Sequence, residues 1–160
     1  MIRYCELCGN QVSLVVPAGD SLPRHGCPSC GHIHYRNPKL VVGCVAEWKG
    51  KILLCRRAIE PRLGFWTLPA GFMENDETTA QAARRETLEE ACGEVAIDGA
   101  FAMLSIPKIS QVHLFYRGTL LQGRHAAGDE SLETRLFDQG EIPWEQLAFP
   151  SITLCLKMFF

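Results

Sequence analysis

The order of apolar and polar residues divides most of the chain into strands, with one long helix among them. Runs rich in β-branched and aromatic residues predict strands, and short segments containing Gly, Pro, Asn or Asp separate them. Strands are predicted over residues 40–48, 51–57, 65–68, 95–106, 109–121 and 132–138, a helical turn over 143–147, and a final helix from 151 onward. This order predicts an α/β protein, an α/β/α sandwich around a mixed sheet.

The internal helix lies between Thr78 and Gly93. Thr78 and Gln81 match a capping box, in which each side chain bonds to the backbone N–H of the other residue. Gly93 is expected to supply the left-handed residue that ends the helix. An apolar stripe follows the helical period and predicts the buried side, formed by Ala80, Ala83, Thr87 and Ala91.

Three carboxylates occupy a different side of this helix. Glu86, Glu89 and Glu90 stand at positions i, i+3 and i+4, within a sector roughly 100° wide. Clustered carboxylates raise one another's pKa unless a cation neutralises them, and oxygen donors suit Mg²⁺ or Mn²⁺. The pattern predicts a divalent-metal site for phosphate chemistry. Taken alone, the three residues also fit an ordinary solvated acidic face.

Two Cys-x2-Cys pairs near the start of the chain predict a second metal site. Cys5, Cys8, Cys27 and Cys30 are spaced as in a zinc ribbon, and a Gly follows each pair. Four thiolates leave Zn²⁺ no open position, so this site is expected to be structural. The alternative is two disulfides. The histidines beside the second pair, His25, His32 and His34, are expected at the surface or in ribbon packing.

Length and charge narrow the class of protein. Residues 1–36 are too few to fold by apolar burial alone, so zinc is expected to stabilise them, and residues 37–160 form the main domain. A net charge of −2 across 160 residues argues against a nucleic-acid partner. No apolar run is long enough for a membrane span, and no signal peptide is recognised. The isolated cysteines at 44, 55, 92 and 155 are expected to be buried free thiols, as in a reducing compartment. These features together predict a cytoplasmic protein.

The acidic helix and the loop before it resemble the box of the Nudix hydrolases, Gly-x5-Glu-x7-Arg-Glu-U-x-Glu-Glu-x-Gly-U, where U is a bulky apolar residue. The glycine that opens the box and all of its charged positions are filled, by Gly71, Glu77, Arg85, Glu86, Glu89 and Glu90. Thr87, Cys92 and Gly93 depart from the pattern at uncharged positions. The resemblance implies the Nudix fold and metal-dependent hydrolysis of a nucleoside-linked pyrophosphate.

The same resemblance implies residue roles. Glu86, Glu89 and Glu90 would hold Mg²⁺ with the Gly71 carbonyl, and Arg85 would orient a glutamate of the box. Glu130, in a Gly-flanked loop, is the candidate for the additional carboxylate that many Nudix enzymes use as a base or ligand. Three further residues are candidates for substrate binding, Arg57 on phosphate and Phe65 and Trp66 on a base or flavin.

Nearly the whole chain resembles the small zinc-ribbon Nudix hydrolases related to plant plastid FAD and ADP-ribose pyrophosphatases. The shared stretches include residues 37–44, 66–71, 130–133 and 141–143. ADP-ribose or FAD is therefore the expected small nucleotide substrate, and a homodimer is expected. Two alternatives stay open: a sanitising nucleoside triphosphate pyrophosphatase, and a non-catalytic ADP-ribose sensor.

Overall fold

The computed structural model describes residues 2–160, which form two compact units, residues 2–37 and Pro38–Phe160. We call the first the ribbon unit and the second the main unit. The ribbon unit contains a small antiparallel sheet of three short strands, β1 (Ser13–Val15), β2 (Arg24–Gly26) and β3 (Ile33–His34).

The four predicted zinc ligands converge in the ribbon unit. Their sulfur atoms all lie within 4.8 Å of one another, with Sγ–Sγ distances of 3.6 Å from Cys5 to Cys30 and 3.5 Å from Cys8 to Cys27. A disulfide needs about 2.05 Å. Thiolates about 2.3 Å from a tetrahedral zinc would be separated by nearly 4 Å, so the cluster fits zinc and not a disulfide pair.

The main unit contains a mixed sheet with a helix on each face. Its elements are β4 Lys39–Trp48, β5 Lys51–Arg57, β6 Trp66–Thr67, β7 Ala70–Phe72, α1 Thr79–Ala91, β8 Val95–Ile106, β9 Gln111–Leu120, β10 Ser131–Phe137 and α2 Pro150–Phe159. The sheet order is β10-β5-β4-β9-β8, with β4 and β9 parallel, and the short strands β6 and β7 pair with β5 and β4. This confirms the predicted α/β/α sandwich.

Successive side chains along a central strand point to opposite faces of the sheet, so each strand contributes to the packing of both helices. Leu53 and Cys55 pack with the alanines of α1, whereas Ile52 and Leu54 join the cluster that contains Ile152 and Leu156 of α2. These hydrophobic layers fix α1 on one face of the sheet, so its acidic side lies along the sheet's β7 end. Within residues 2–160, no helix is long and apolar enough to cross a membrane.

The capping box at the start of α1 is confirmed, because Thr78 accepts from the Gln81 N–H and the Gln81 side chain accepts from the Thr78 N–H. The expected helix stop was wrong. Cys92 takes the left-handed conformation, with φ 46°, and its N–H bonds to Leu88 O. Gly93 instead provides space, since a Cβ there would collide with Leu120. Cys92 is also exposed, unlike Cys44, Cys55 and Cys155.

Strand β9 begins later than the sequence pattern predicts. Pro107–Ile109 forms a turn of 3-10 helix, and Ser110 follows it in the left-handed conformation with φ 52°. The proline favours this turn because its fixed φ suits the first helical position. Extended pairing therefore starts only at Gln111.

The fold of the ribbon unit should depend on zinc, whereas that of the main unit should not. Among residues 2–37, the buried apolar side chains are those of Cys5 and Cys27, so little apolar burial stabilises the ribbon unit once the metal is removed. We expect chelation to abolish amide protection in the ribbon unit and to preserve it in β4, β5 and α1, as measured by hydrogen exchange. Cys8→Ser should have the same effect, whereas Cys92→Ser, at another exposed cysteine, should not. Persistent ribbon protection without zinc would contradict this account.

Candidate active site

The three helix carboxylates are not equivalent. Glu86 and Glu90 are each only 7% exposed, whereas the Glu89 side chain is 58% exposed. Helix α1 packs on the sheet through its apolar stripe, and this packing buries Glu86 and Glu90. Thr87, which lies between them in the sequence, is fully buried. The alternative of an ordinary solvated acidic face does not fit this unequal burial. Glu86 and Glu90 form the buried part of the site and Glu89 its solvent edge.

Arg85 joins the acidic residues to the loop before the helix. Its Nε and one terminal nitrogen donate to the two carboxylate oxygens of Glu77, at 3.0 and 2.7 Å. The other terminal nitrogen donates to Glu86 at 2.7 Å and to Glu89 at 3.0 Å, and a fifth bond reaches the Phe72 carbonyl at 3.1 Å. A guanidinium has five N–H donors, so every donor is used within the protein.

Burial and mutual repulsion favour the protonated form of the inner acids. Desolvation raises the pKa of Glu90 to about 8, and the charge of Glu86 adds to this. Desolvation also raises the pKa of Glu86, against the opposing effect of Arg85. The charge of Glu130 raises both pKa values further, so this loop acid lies near the pair. We call Glu86, Glu90 and Glu130 the carboxylate centre, an arrangement that a bound cation would relieve.

Strand β7 forms the wall beside the carboxylate centre. A Cβ at Gly71 would overlap the carboxylate of Glu86, so only glycine lets the backbone lie this close. The backbone at Ala70 lowers the pKa of Glu90, in partial opposition to the burial that raises it. Carboxylate oxygens and the β7 backbone therefore lie close together here, and oxygen donors fit the hard divalent cation that the resemblance implies at Glu86, Glu89, Glu90 and the Gly71 carbonyl.

The loop that carries Glu130 is fastened to the end of α1. The N–H of Ala126 donates to Ala91 O at 2.8 Å, and the N–H of Gly128 donates to Glu90 O at 3.1 Å. A Cβ at Gly128 would overlap the Glu89 carbonyl oxygen. In the sequence, the one sign of a role for Gly128 is its place two residues before Glu130 in a Gly-flanked loop.

The two arginines at the end of β5 point to different partners. Arg56 donates to Gly64 O and pairs with Glu133 at 3.8 Å. Arg57 donates to Pro61 O at 2.8 Å, and its charge opposes the burial-driven rise in the pKa of Glu90, so it faces the carboxylate centre. Its guanidinium also lies 5.2 Å from the centroid of the Phe149 ring.

Phe65 and Trp66 have different surroundings. Phe65 and Phe149 line an open cavity of about 520 Å³, together with Arg62, Leu147 and Lys157 among others. Trp66 is buried in the core and packs edge to face on Phe137, with ring centroids 4.9 Å apart. This placement gives Trp66 a packing role and leaves Phe65 as the aromatic residue available for stacking.

Comparisons with known proteins match both units of the chain to described families. A family model described as the NUDIX domain matches residues 37–151, and a zinc-ribbon model described as Nudix N-terminal matches residues 3–36. The crystal structure of a NUDIX hydrolase from Nitrosomonas europaea is 54% identical, with a TM-score of 0.94 over 98% of this chain and 89% of that one.

Two curated relatives are more distant. An ADP-ribose pyrophosphatase of Methanocaldococcus jannaschii is 30% identical over 119 residues, covering 72% of this chain and 69% of the relative. The NAD-capped RNA hydrolase NudC of Chromobacterium violaceum is 35% identical over 90 residues, which are 55% of this chain and 31% of the relative. This chain therefore aligns with only about a third of that enzyme's length.

The raised pKa of Glu90 predicts a pH-dependent stability in the absence of Mg²⁺ or Mn²⁺. Between its ordinary pKa of 4.5 and about 8, the folded protein holds a proton on Glu90 that the unfolded chain has released. The free energy of unfolding should therefore fall as pH rises through this window and level off above it. Glu90→Gln removes the titrating group and should flatten the curve in urea unfolding experiments performed with zinc retained. Parallel curves for the two proteins would contradict the assignment.

The contact at Gly128 predicts a local cost for a larger residue. Gly128→Ala should destabilise the protein by about 1–3 kcal/mol, because the methyl group must displace the loop or the end of α1. Gly140→Ala is the matched control, since a Cβ at Gly140 meets nothing within 4 Å. Equal unfolding midpoints for both variants in thermal denaturation would show that the loop is not held as described.

Proposed function

This chain belongs to the Nudix family and is a Nudix hydrolase, and on that basis we propose that it cleaves the pyrophosphate bond of a nucleoside diphosphate derivative, preferably ADP-ribose or FAD, with Mg²⁺ or Mn²⁺. The observation that carries the proposal is the carboxylate centre. Two buried acids with raised pKa values lie near a third acid and against a glycine backbone. Such a centre suits a divalent cation together with substrate phosphates.

The residues that would hold the cation are Glu86, Glu89, Glu90 and the Gly71 carbonyl, with Glu89 at the solvent edge of the set. A divalent cation held there would neutralise charge on the pyrophosphate and would lower the pKa of water at the site. The protein's part is then mainly positioning, as in other transfers of phosphoryl groups. Arg85 supplies that positioning. Its five donors are all used by the protein, so it orients Glu86 and Glu89 and has no N–H left for the substrate.

Glu130 is the proposed general base. Its backbone is held by the Ala58 N–H, which donates to Glu130 O at 2.8 Å, and its side chain is exposed near the buried pair. A carboxylate in this position can accept the proton of an attacking water. Arg57 is the proposed contact to phosphate, because it faces the centre and its charge is opposite to that of the substrate.

The cavity beside Phe65 is the proposed site for the nucleoside part of the substrate. Its volume of about 520 Å³ lies within the range of small-molecule sites. Phe65 and Phe149 offer aromatic surface for a base, and Arg62 and Lys157 offer positive charge. Arg57 lies between this cavity and the carboxylate centre, since it contacts Phe149 and influences Glu90. A dinucleotide-like substrate would span both.

The relative named ADP-ribose pyrophosphatase supports ADP-ribose as the substrate. The resemblance to the plastid enzymes supports FAD as an alternative substrate. A sanitising triphosphate pyrophosphatase would use the same carboxylates. A non-catalytic ADP-ribose sensor is disfavoured because every charged box residue is retained. The expected homodimer and cytoplasmic location stay part of this proposal.

Hydrolysis assays with Mg²⁺ on FAD, ADP-ribose, NADH and nucleoside triphosphates test the proposal. We expect the highest kcat/KM on ADP-ribose or FAD. Glu89→Gln and Glu90→Gln should each lower kcat by about 100-fold or more, because each removes stabilisation that acts mainly in the transition state. Glu133→Gln is the matched control. This exposed acid pairs with Arg56 away from the centre and should retain near-normal kcat.

Near-full activity of both Glu89→Gln and Glu90→Gln would show that the acidic side of α1 is not the catalytic site. Activity confined to triphosphates would keep the mechanism and replace the substrate by that of a sanitising enzyme.

A further inference from the structure

A second group of metal-ligating side chains lies in the ribbon unit, apart from the four cysteines. Glu6, His32 and His34 each place a donor atom within 4.8 Å of the others. Glu6 Oε1 lies 3.1 Å from His32 Nε2 and 3.3 Å from His34 Nδ1. The two imidazole rings are 4.5 Å apart and nearly perpendicular. One carboxylate oxygen thus faces two imidazoles at spacings typical of neighbouring ligands around a small cation.

The ribbon unit holds His34 in a fixed place beside Glu6. Its side chain is 4% exposed, and its Nδ1 is the ring nitrogen that faces Glu6. The approach of Glu6 to His32 is a hydrogen bond, but its approach to His34 has only the distance of an ion pair. The three donor atoms that face one another are therefore His34 Nδ1, His32 Nε2 and Glu6 Oε1, and the geometry of these three carries the inference.

The ribbon fold delivers these donors from both cysteine knuckles. Glu6 directly follows Cys5 in the first, and His32 lies two residues after Cys30 in the second. The carbonyl of His32 accepts from the Cys27 N–H at 2.9 Å, and β3 places His34 beside β2. The three side chains therefore come together only when the ribbon is folded around its cysteine cluster.

We propose that Glu6, His32 and His34 form a second metal-binding site, which takes an exchangeable zinc-like cation. Two imidazoles and one carboxylate form a donor set that binds Zn²⁺ while leaving a coordination position open, unlike four cysteines. Imidazole favours Zn²⁺, Co²⁺ or Ni²⁺ over Mg²⁺, so this site and the carboxylate centre select different ions. The Glu6 side chain is 70% exposed, which gives the ion access from solvent.

Metal stoichiometry of the full chain tests the proposal. The protein, with its cysteine-bound zinc retained, is dialysed against micromolar Zn²⁺ in millimolar Mg²⁺, which competes with zinc for the carboxylate centre, and a second zinc that is retained in Glu90→Gln belongs to the ribbon unit. Elemental analysis should then give two zinc ions per chain, one of which a mild chelator removes. Co²⁺ in place of the exchangeable zinc should give visible absorption without a thiolate charge-transfer band, because its ligands are nitrogen and oxygen. A single zinc per chain under these conditions would overturn the proposal.

Variants identify the ligands. Glu6→Ala should weaken binding of the second ion by at least about tenfold while leaving the ribbon folded, since the side chain is largely exposed. His34→Gln should do the same, and Glu6→Ala provides the test if loss of the buried His34 perturbs folding. Asp20→Asn is the matched control, because it removes another ribbon carboxylate that pairs with Arg24 and not with the histidines. Unchanged binding in Glu6→Ala, or an equal loss in Asp20→Asn, would contradict the assignment.

Discussion

The hydrogen bonds of Arg85 are the interaction on which the arrangement of acids in the main unit depends. One guanidinium ties the loop residue Glu77, the carbonyl of Phe72 at the end of β7, and the helix acids Glu86 and Glu89. Carboxylates packed this closely repel one another unless a positive charge neutralises them. Arg85 supplies a permanent positive charge on one side, and in the proposed function an exchangeable metal would neutralise Glu90, to which Arg85 donates no hydrogen bond. Lysine could not replace it, since it offers three donors from a single atom.

Burial then gives the acids separate roles. Because α1 packs on the sheet through its apolar stripe, Glu86 and Glu90 are shielded from water and their pKa values rise, whereas Glu89 stays in solvent. Glycine at position 71 allows the β7 backbone to reach Glu86, and glycine at position 128 allows the Glu130 loop to reach the end of α1. The site is therefore assembled from one helix, one short strand and one loop, each held by a close backbone approach.

Features set by local sequence were predictable, and features set by packing were not. The capping box, the order of strands and helices, and the cysteine knuckles follow from short-range patterns, and the structure confirms them. The unequal burial of Glu86, Glu89 and Glu90 depends on how deeply α1 sits on the sheet, which the periodicity of α1 alone does not specify. The left-handed Cys92 is a similar case. Glycine tolerates the left-handed conformation best, so Gly93 was expected to adopt it. The helix instead ends one residue earlier, at Cys92, and the small size of Gly93 makes room for Leu120.

The central claim is that Glu86, Glu90 and the Gly71 carbonyl hold the catalytic cation in a frame built by Arg85. The most direct measurement is a crystal structure of the protein with Mn²⁺ and a non-hydrolysable ADP-ribose analogue, with anomalous scattering used to locate manganese. The account predicts an anomalous peak coordinated by Glu86, Glu90 and the Gly71 carbonyl, beside the analogue's pyrophosphate and with Arg85 still bound to Glu77. Manganese located elsewhere, or a pyrophosphate bound away from these carboxylates, would contradict it.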